Sequence, residues 1–424
     1  MKQEYIITTL NNHLRIVTSN MPAMKSVALG IWIKVGGRYE EAGFKGISHF
    51  FEHLAFKGTK KYSCQRIKES IEGVGGSLNG FTSEELTCYL VRLPSDYIKT
   101  ALDILSDMVI DALLEPQDIE KERTVILEEI KMYKDLPQLY VHELLNELLW
   151  PRHPLGMPVV GTMESVTRIQ RKDLLRFKND YYNPKNITVS AVGNLNQDKF
   201  IKMVEERFSF FIAGKNSTFK KADQNLNEPR LKLLPKETEQ THLALGFYGL
   251  KRNHPLRYAL SLLHIILGAN MSSRLFNELR EKRGLAYEIG TQLKRFYDTG
   301  AFVVHAGVDN QKVIQAIELI LKELKKIKES LVSDNEFKRA KEFYLGQLML
   351  TLEDTLDNML WVGEMLTTLD RIYTFEDTVK QLEKITPQQI REVAKLLFKQ
   401  ERLKLALIGP LKDKEEEILK KLSF

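Results

Sequence analysis

The sequence predicts an α+β fold: two homologous α/β-sandwich domains from an internal duplication, each a mainly antiparallel sheet packed with helices. Three observations lead there. At 424 residues the chain exceeds one typical domain and suits two of about 200 residues each. Its 43% apolar and 28% charged residues are the composition of a globular protein. Shifted against itself by 216 residues, it brings strand-like and helix-like segments into register.

The elements follow in chain order. Met1-Lys2-Gln3-Glu4 runs straight into the strand pattern of Tyr5-Ile6-Ile7, with no apolar core for a signal peptide and no Arg/Ser-rich transit segment. No run approaches the roughly 18 apolar residues of a membrane span, so a cytoplasmic protein without membrane contact is expected. Val27 to Trp32 reads as a buried strand and falls on Leu243 to Tyr248 in the shifted copy. Arg123 meets Arg339 inside matching helical stretches, and Ile169 meets Ile385. The strand Val189 to Gly193 falls on Leu405 to Gly409. Between the copies, residues 214–230 are polar, rich in Lys and Asn, and lack apolar periodicity, which marks a linker. The expected domains are therefore residues 1–213 and 231–424.

Charge and cysteine usage exclude several classes. The net charge of +6 is a small difference between 62 basic and 56 acidic residues. Clusters such as Lys60-Lys61 and Lys325-Lys326 are interleaved with acids, which describes a solvated surface and not a nucleic-acid stripe. Cys64 and Cys88 are too few for a disulfide framework and are expected as free thiols, with Cys88 in the core.

Chemistry concentrates in His49-Phe50-Phe51-Glu52-His53. Two imidazoles four apart share one helix face, with a carboxylate three positions after the first beside them. That supplies two nitrogen ligands for zinc and a base next to the metal's open position. The order H-x-x-E-H is the inverzincin pattern. In the shifted copy these positions hold Ile265, Gly268 and Ala269, so the metal belongs to the first domain alone.

A catalytic zinc wants a third protein ligand. The helical stretch after Pro116 offers several acids. Glu122 and Glu129 lie seven apart on one face, while Glu128 points about 100° away from Glu129. On residues alone, any acid of this face could complete the site or be plain helix surface. His142, His264 and His305 read as packed or surface histidines and not as ligands.

The sequence resembles the pitrilysin/insulysin family of inverzincin metallopeptidases, in the branch of mitochondrial processing peptidases and their bacterial relatives. The likeness runs through Gly36-Gly37-Arg38-Tyr39-Glu40, then Gly46 to His53 with Phe56-Lys57-Gly58-Thr59, His153-Pro154 and Gly161-Thr162. It continues through Tyr181-Tyr182-Asn183-Pro184 and Met271 to Phe276. The resemblance implies Glu129 as third zinc ligand, Glu122 as a supporting acid and Glu128 as a bystander. It implies Arg280 and Tyr287 as donors to the scissile peptide, a role their chemistry suits. Asn79 and Phe81, in Gly75 to Thr82, would contact peptide along an edge strand.

The resulting expectation is a zinc endopeptidase, with one Zn2+ per chain, that cleaves short or unfolded peptides inside a closed chamber. Glu52 acts as general base. A homodimer is expected, the metal of one chain facing Arg280 and Tyr287 of the other, because longer relatives such as insulysin join two such units. The alternative is a non-catalytic partner or scaffold subunit of a processing-peptidase-like heterodimer. Such subunits typically lose metal residues, whereas this chain keeps them and lacks a long glycine-rich loop at Gly268 to Met271. A zinc-storage site is disfavoured, because a closed site offers four ligands without a spare Glu.

Overall fold

The computed structural model describes residues 4–212, 214, 216–223 and 230–423. Residues 1–3, at the start of the N-terminal segment, and residues 215 and 224–229 of the expected linker lie outside the described residues. The chain forms two compact units. The first comprises Met1–Lys131, Met157–Lys220 and Met349–Thr374, and the second comprises Met132–Gly156, Lys221–Leu348 and Phe375–Phe424.

The first unit is built on six strands: β1 (Tyr5–Thr9), β2 (Arg15–Asn20), β3 (Ser26–Ile33), β4 (Ser77–Thr82), β5 (Thr87–Pro94) and β6 (Ile187–Gly193). Their order is β1-β2-β6-β3-β5-β4, and only β2 and β6 pair in parallel. β4 is an edge. β3 is buried almost throughout because both its faces are covered. Val27, Leu29 and Ile31 pack with Phe50, Phe51 and Leu54 of the helix Ile47–Ala55 and with the helix Ile98–Asp111. Ala28 and Trp32 face Met359 and Val362 of the helix Thr355–Leu369.

The second unit repeats the plan with β7 (Leu231–Pro235), β8 (Gln240–Tyr248), β9 (Ala286–Arg295), β10 (Gly300–Asp309) and β11 (Lys404–Gly409). The order β7-β11-β8-β10-β9 matches β2-β6-β3-β5-β4, down to a single parallel pair, β7 with β11. The 216-residue shift aligns β3 with β8 and β6 with β11, all of them interior strands of their sheets. Two mainly antiparallel sheets packed with helices are what the fold reading expected.

The units are not the contiguous halves 1–213 and 231–424. Each takes one helix from the other half of the sequence: Thr355–Leu369 covers the first sheet, and Pro137–Leu149 covers the second. These two helices are themselves equivalent under the 216-residue shift. The exchange explains a matched pair of glycines. A Cβ on Gly30 of β3 would lie 2.6 Å from Met359 Sδ, and one on Gly246 of β8 would lie 3.0 Å from Leu145 of the covering helix. A side chain of each exchanged helix thus packs directly on the strand backbone at its glycine.

The described part of the linker is anchored, not free. The ring of Phe219 lies 3.9 Å from the Arg38 guanidinium and 5.4 Å from the Tyr39 ring, all within the first unit. Cys88 is fully buried and Cys64 partly so, both as free thiols. Among the described residues, no helix is long and apolar enough to cross a membrane.

Candidate metal centre

The helix Ile47–Ala55 is held at its N-terminus by side chains from the preceding loop. Gly46 caps it with φ of 93°, a left-handed conformation that favours glycine. The buried Glu40 carboxylate accepts the Gly46 N–H at 2.9 Å and the Ser48 N–H at 2.8 Å. It satisfies two orphan donors, places negative charge at the positive end of the helix, and is balanced by Lys45 at 3.3 Å. Gly46 also packs directly on Gly161, and a Cβ on Gly46 would meet the Gly161 Cα at 2.9 Å. The glycines and acid around the histidine motif therefore set the pose of the helix.

One turn apart on that helix, the rings of His49 and His53 lie 4.6 Å apart between centroids. The helix Pro116–Asp135 brings Glu129 to meet them. Its Oε2 lies 3.7 Å from His49 Nε2 and 3.8 Å from His53 Nε2. One ligand atom from each of the three residues lies within 4.8 Å of the others, and no other such group occurs among the described residues. Two imidazole nitrogens and one carboxylate oxygen, with a fourth position open, are a donor set that fits a catalytic zinc ion. Burial and the neighbouring His53 lower the His49 pKa to about 3, so this imidazole stays neutral and available as a ligand. Burial also raises the Glu129 carboxyl, against the pull of His53.

The other acids of the Pro116–Asp135 helix sort themselves. Glu122 is buried and its Oε2 lies 3.0 Å from His53 Nδ1. A carboxylate there accepts the Nδ1 proton and leaves Nε2 with its lone pair toward the metal position. Glu128 is exposed and pairs with Lys131 at 2.7 Å.

Glu52 is buried beside the cluster without belonging to it. Burial raises its pKa most strongly, Glu129 adds to the rise, and Thr82 and His53 pull it down. Thr82 Oγ1 donates to Glu52 Oε2 at 2.9 Å. A Cβ on Gly80 would lie 2.9 Å from Glu52 Oε1 and 2.9 Å from the Phe56 ring. Thr82 and Gly80 are functional neighbours that the motif reading missed. The one available signal was strand alternation, which puts Leu78, Gly80 and Thr82 on one face of β4 and Asn79 and Phe81 on the other. Asn79 is exposed and its Oδ1 accepts the Gly80 N–H at 2.8 Å, while Phe81 is also exposed and meets the Trp32 ring edge-on at 5.9 Å.

Arg280 and Tyr287 belong to the second unit. Arg280 lies in a π-helical turn, Phe276–Glu281, and its guanidinium is 5.2 Å from the Tyr287 ring centroid. Tyr287 is 74% exposed. His142 and His305 lie edge to face at 5.4 Å, and His264 Nδ1 is 2.7 Å from Thr291 Oγ1. None joins a three-ligand group among the described residues.

The chain is similar to known proteins along most of its length. Residues 15–163 match the family model described as Insulinase (Peptidase family M16). Residues 168–344 match the model described as Peptidase M16 inactive domain. A Bacillus subtilis protein named uncharacterized zinc protease YmxG is 37% identical over 95% of this chain and 97% of its own. Among solved structures, a protease from Helicobacter pylori superposes with a TM-score of 0.89 at 23% identity, covering 97% of this chain and all (100%) of that one. A Pseudomonas fluorescens structure described as a peptidase M16 inactive domain gives a TM-score of 0.88 at 18% identity over 96% and 98% of the two chains. The two structures speak to the fold alone. The candidate metal-ligand cluster lies in the residues that match the peptidase model and the equivalent positions of the second copy in those that match the inactive-domain model, and the chain belongs to the insulinase family of peptidases, family M16, the pitrilysin/insulysin family.

Proposed function

We propose that the protein is a zinc-dependent endopeptidase that cleaves short or unfolded peptides inside a closed chamber. One observation carries this reading: three zinc-type ligands converge within 4.8 Å while a further acid, Glu52, stands buried beside them and outside the set. A storage or structural site has no use for that spare acid.

Zinc, when bound to His49, His53 and Glu129, supplies Lewis-acid polarisation of the scissile carbonyl and the attacking water. Glu52 takes the proton from that water as its oxygen adds to the carbonyl carbon. The same carboxyl then returns the proton to the departing amine as the C–N bond breaks. Its raised pKa suits both directions of transfer. Arg280 and Tyr287 are the proposed donors to the carbonyl oxygen as charge develops there. They come from the partner of a homodimer, so that each site is shared between chains.

Metal analysis with a cleavage assay on unstructured peptides tests the reading. The expected result is one zinc per chain and cleavage lost to chelator and restored by zinc. A fully zinc-loaded chain that cleaves no peptide would point to the non-catalytic, scaffold-type subunit instead. The shared site is tested by mixing a His49→Ala chain with a Tyr287→Phe chain after dissociation. Heterodimers should recover activity above either parent, and heterodimers without recovery would refute the shared architecture.

A further inference from the structure

Lys57, four residues after His53, has no place in the chemistry above. Its Nζ lies 2.6 Å from Glu122 Oε1, while the other oxygen of the same carboxylate, Oε2, lies 3.0 Å from His53 Nδ1. We propose that Lys57 is a positioning residue of the metal centre: it anchors Glu122, which in turn orients His53 toward the ion. The proposal rests on the zinc reading of the site.

Geometry is the first argument. A carboxylate held by one oxygen can still pivot about that contact. Glu122 is held by both, one on the imidazole and one on the ammonium, which fixes its plane and through it the ring of His53. His49 has no such support, because its buried Nδ1 is without a hydrogen-bond partner. The orientation of the ligand pair therefore depends on the Lys57–Glu122–His53 chain.

Charge is the second argument. Three carboxylates, Glu52, Glu122 and Glu129, surround the metal position. A divalent ion cancels two of their charges, and the Lys57 ammonium cancels the third. The Glu122 side chain is 8% exposed and that of Lys57 31%, so this pair is better shielded than an ordinary surface ion pair. Without the ammonium, the Glu122 carboxylate is held through the imidazole alone and can pivot about that contact, and the lost orientation of His53 outweighs the extra negative charge near the ion.

The test uses the full-length chain with Lys57→Met and Lys57→Arg, each made in the native and the Glu122→Gln background. The readouts are zinc Kd, by competition with a chromogenic chelator, and the thermal midpoint of the metal-free protein. Lys57→Met should weaken zinc binding by about 10- to 100-fold, the range seen when such supporting partners are lost. The metal-free midpoint should stay at the wild-type value, and Lys57→Arg should recover most of the affinity. In the Glu122→Gln background Lys57→Met should add less than about twofold, because the link it acts through is gone. A native-background Kd within twofold of wild type overturns the proposal, as does an equal loss with and without Glu122. Failure of the wild-type chain itself to bind zinc would overturn the zinc reading, and with it any role for Lys57.

Discussion

Gly80→Ala is the smallest change that should separate catalysis from metal binding. Gly80 sits on β4 opposite the general base, and an added Cβ would lie 2.9 Å from both Glu52 Oε1 and the Phe56 ring. Ordinary van der Waals contact begins at 3.4 Å. The carboxylate and the ring must each retreat by about 0.5 Å, since a packed interior has no slack to absorb the methyl group elsewhere. The Glu52 side chain is flexible, so the backbone need not move and the fold should survive. What the carboxylate loses in moving is its Thr82 hydrogen bond, 2.9 Å in the native geometry, and its alignment with the attacking water. Misplacement on the scale of 1 Å costs about 100-fold in rate, so a shift half that size should lower kcat/KM by roughly 10-fold or more. Zinc content should be unchanged, because the atoms nearest an added Cβ belong to Glu52 and Phe56 and not to the ligands. The assay pairs peptide cleavage with metal analysis on the same preparation. A Gly80→Ala protein within twofold of wild-type kcat/KM, or one that loses its zinc, would refute the placement of Glu52 as a positioned base.

Other outcomes follow from the same geometry. Glu52→Gln should keep zinc and lose hydrolysis, whereas His53→Ala should lose the metal, and metal analysis of the two proteins distinguishes base from ligand. Glu129→Gln should weaken zinc binding far more than Glu128→Gln, because only Glu129 faces the histidines while Glu128 pairs with Lys131 in solvent; equal zinc contents would sink that choice. Below neutral pH the second unit should lose stability. Burial, aided by neighbouring charges, lowers the pKa of His142 and of His264 to about 4, so between pH 7 and pH 6 the unfolded chain takes up protons that the folded one refuses. The loss should be about 1 kcal/mol over that interval. The loss should continue below pH 6, because Glu143, raised to about 6 by burial, binds one proton in the folded state and offsets only part of the two that the unfolded imidazoles take up. A urea midpoint unchanged from pH 7 to 6 would contradict this balance.

The duplication was legible because the most buried strands retain the most similarity. β3 and β8 are covered on both faces along most of their length, so Val27 to Ile33 and Leu243 to Tyr248 are apolar runs, and the glycines beneath the exchanged helices are held to close approach. Which helix covers which sheet was not legible. The helices Pro137–Leu149 and Thr355–Leu369 each show an apolar face, but a periodic face says only that something covers it. Contiguous domains were therefore the simplest expectation, and the exchange of the two helices between the halves had no local signature.

The metal site divides along the same line. His49, Glu52 and His53 are read from one helix, where spacing dictates direction. Glu129 needed a second element to dock in one register, so helical phase alone left several acids open, and the family resemblance narrowed them. Thr82, Gly80 and Lys57 matter only through tertiary contacts, and strand alternation puts Gly80 and Thr82 on one face without saying what that face meets. The second copy shows how far such contacts decide function. Gly268 occupies the position equivalent to the general base, and a Cβ there would lie 2.6 Å from Thr291 Cγ2 and 2.8 Å from the Thr291 backbone nitrogen. β9 has closed onto the helix where the first copy leaves room for a carboxylate. The second domain has thus lost more than its ligands: the space for the chemistry is filled, and replacing Ile265, Gly268 and Ala269 by His, Glu and His would meet backbone before it met metal.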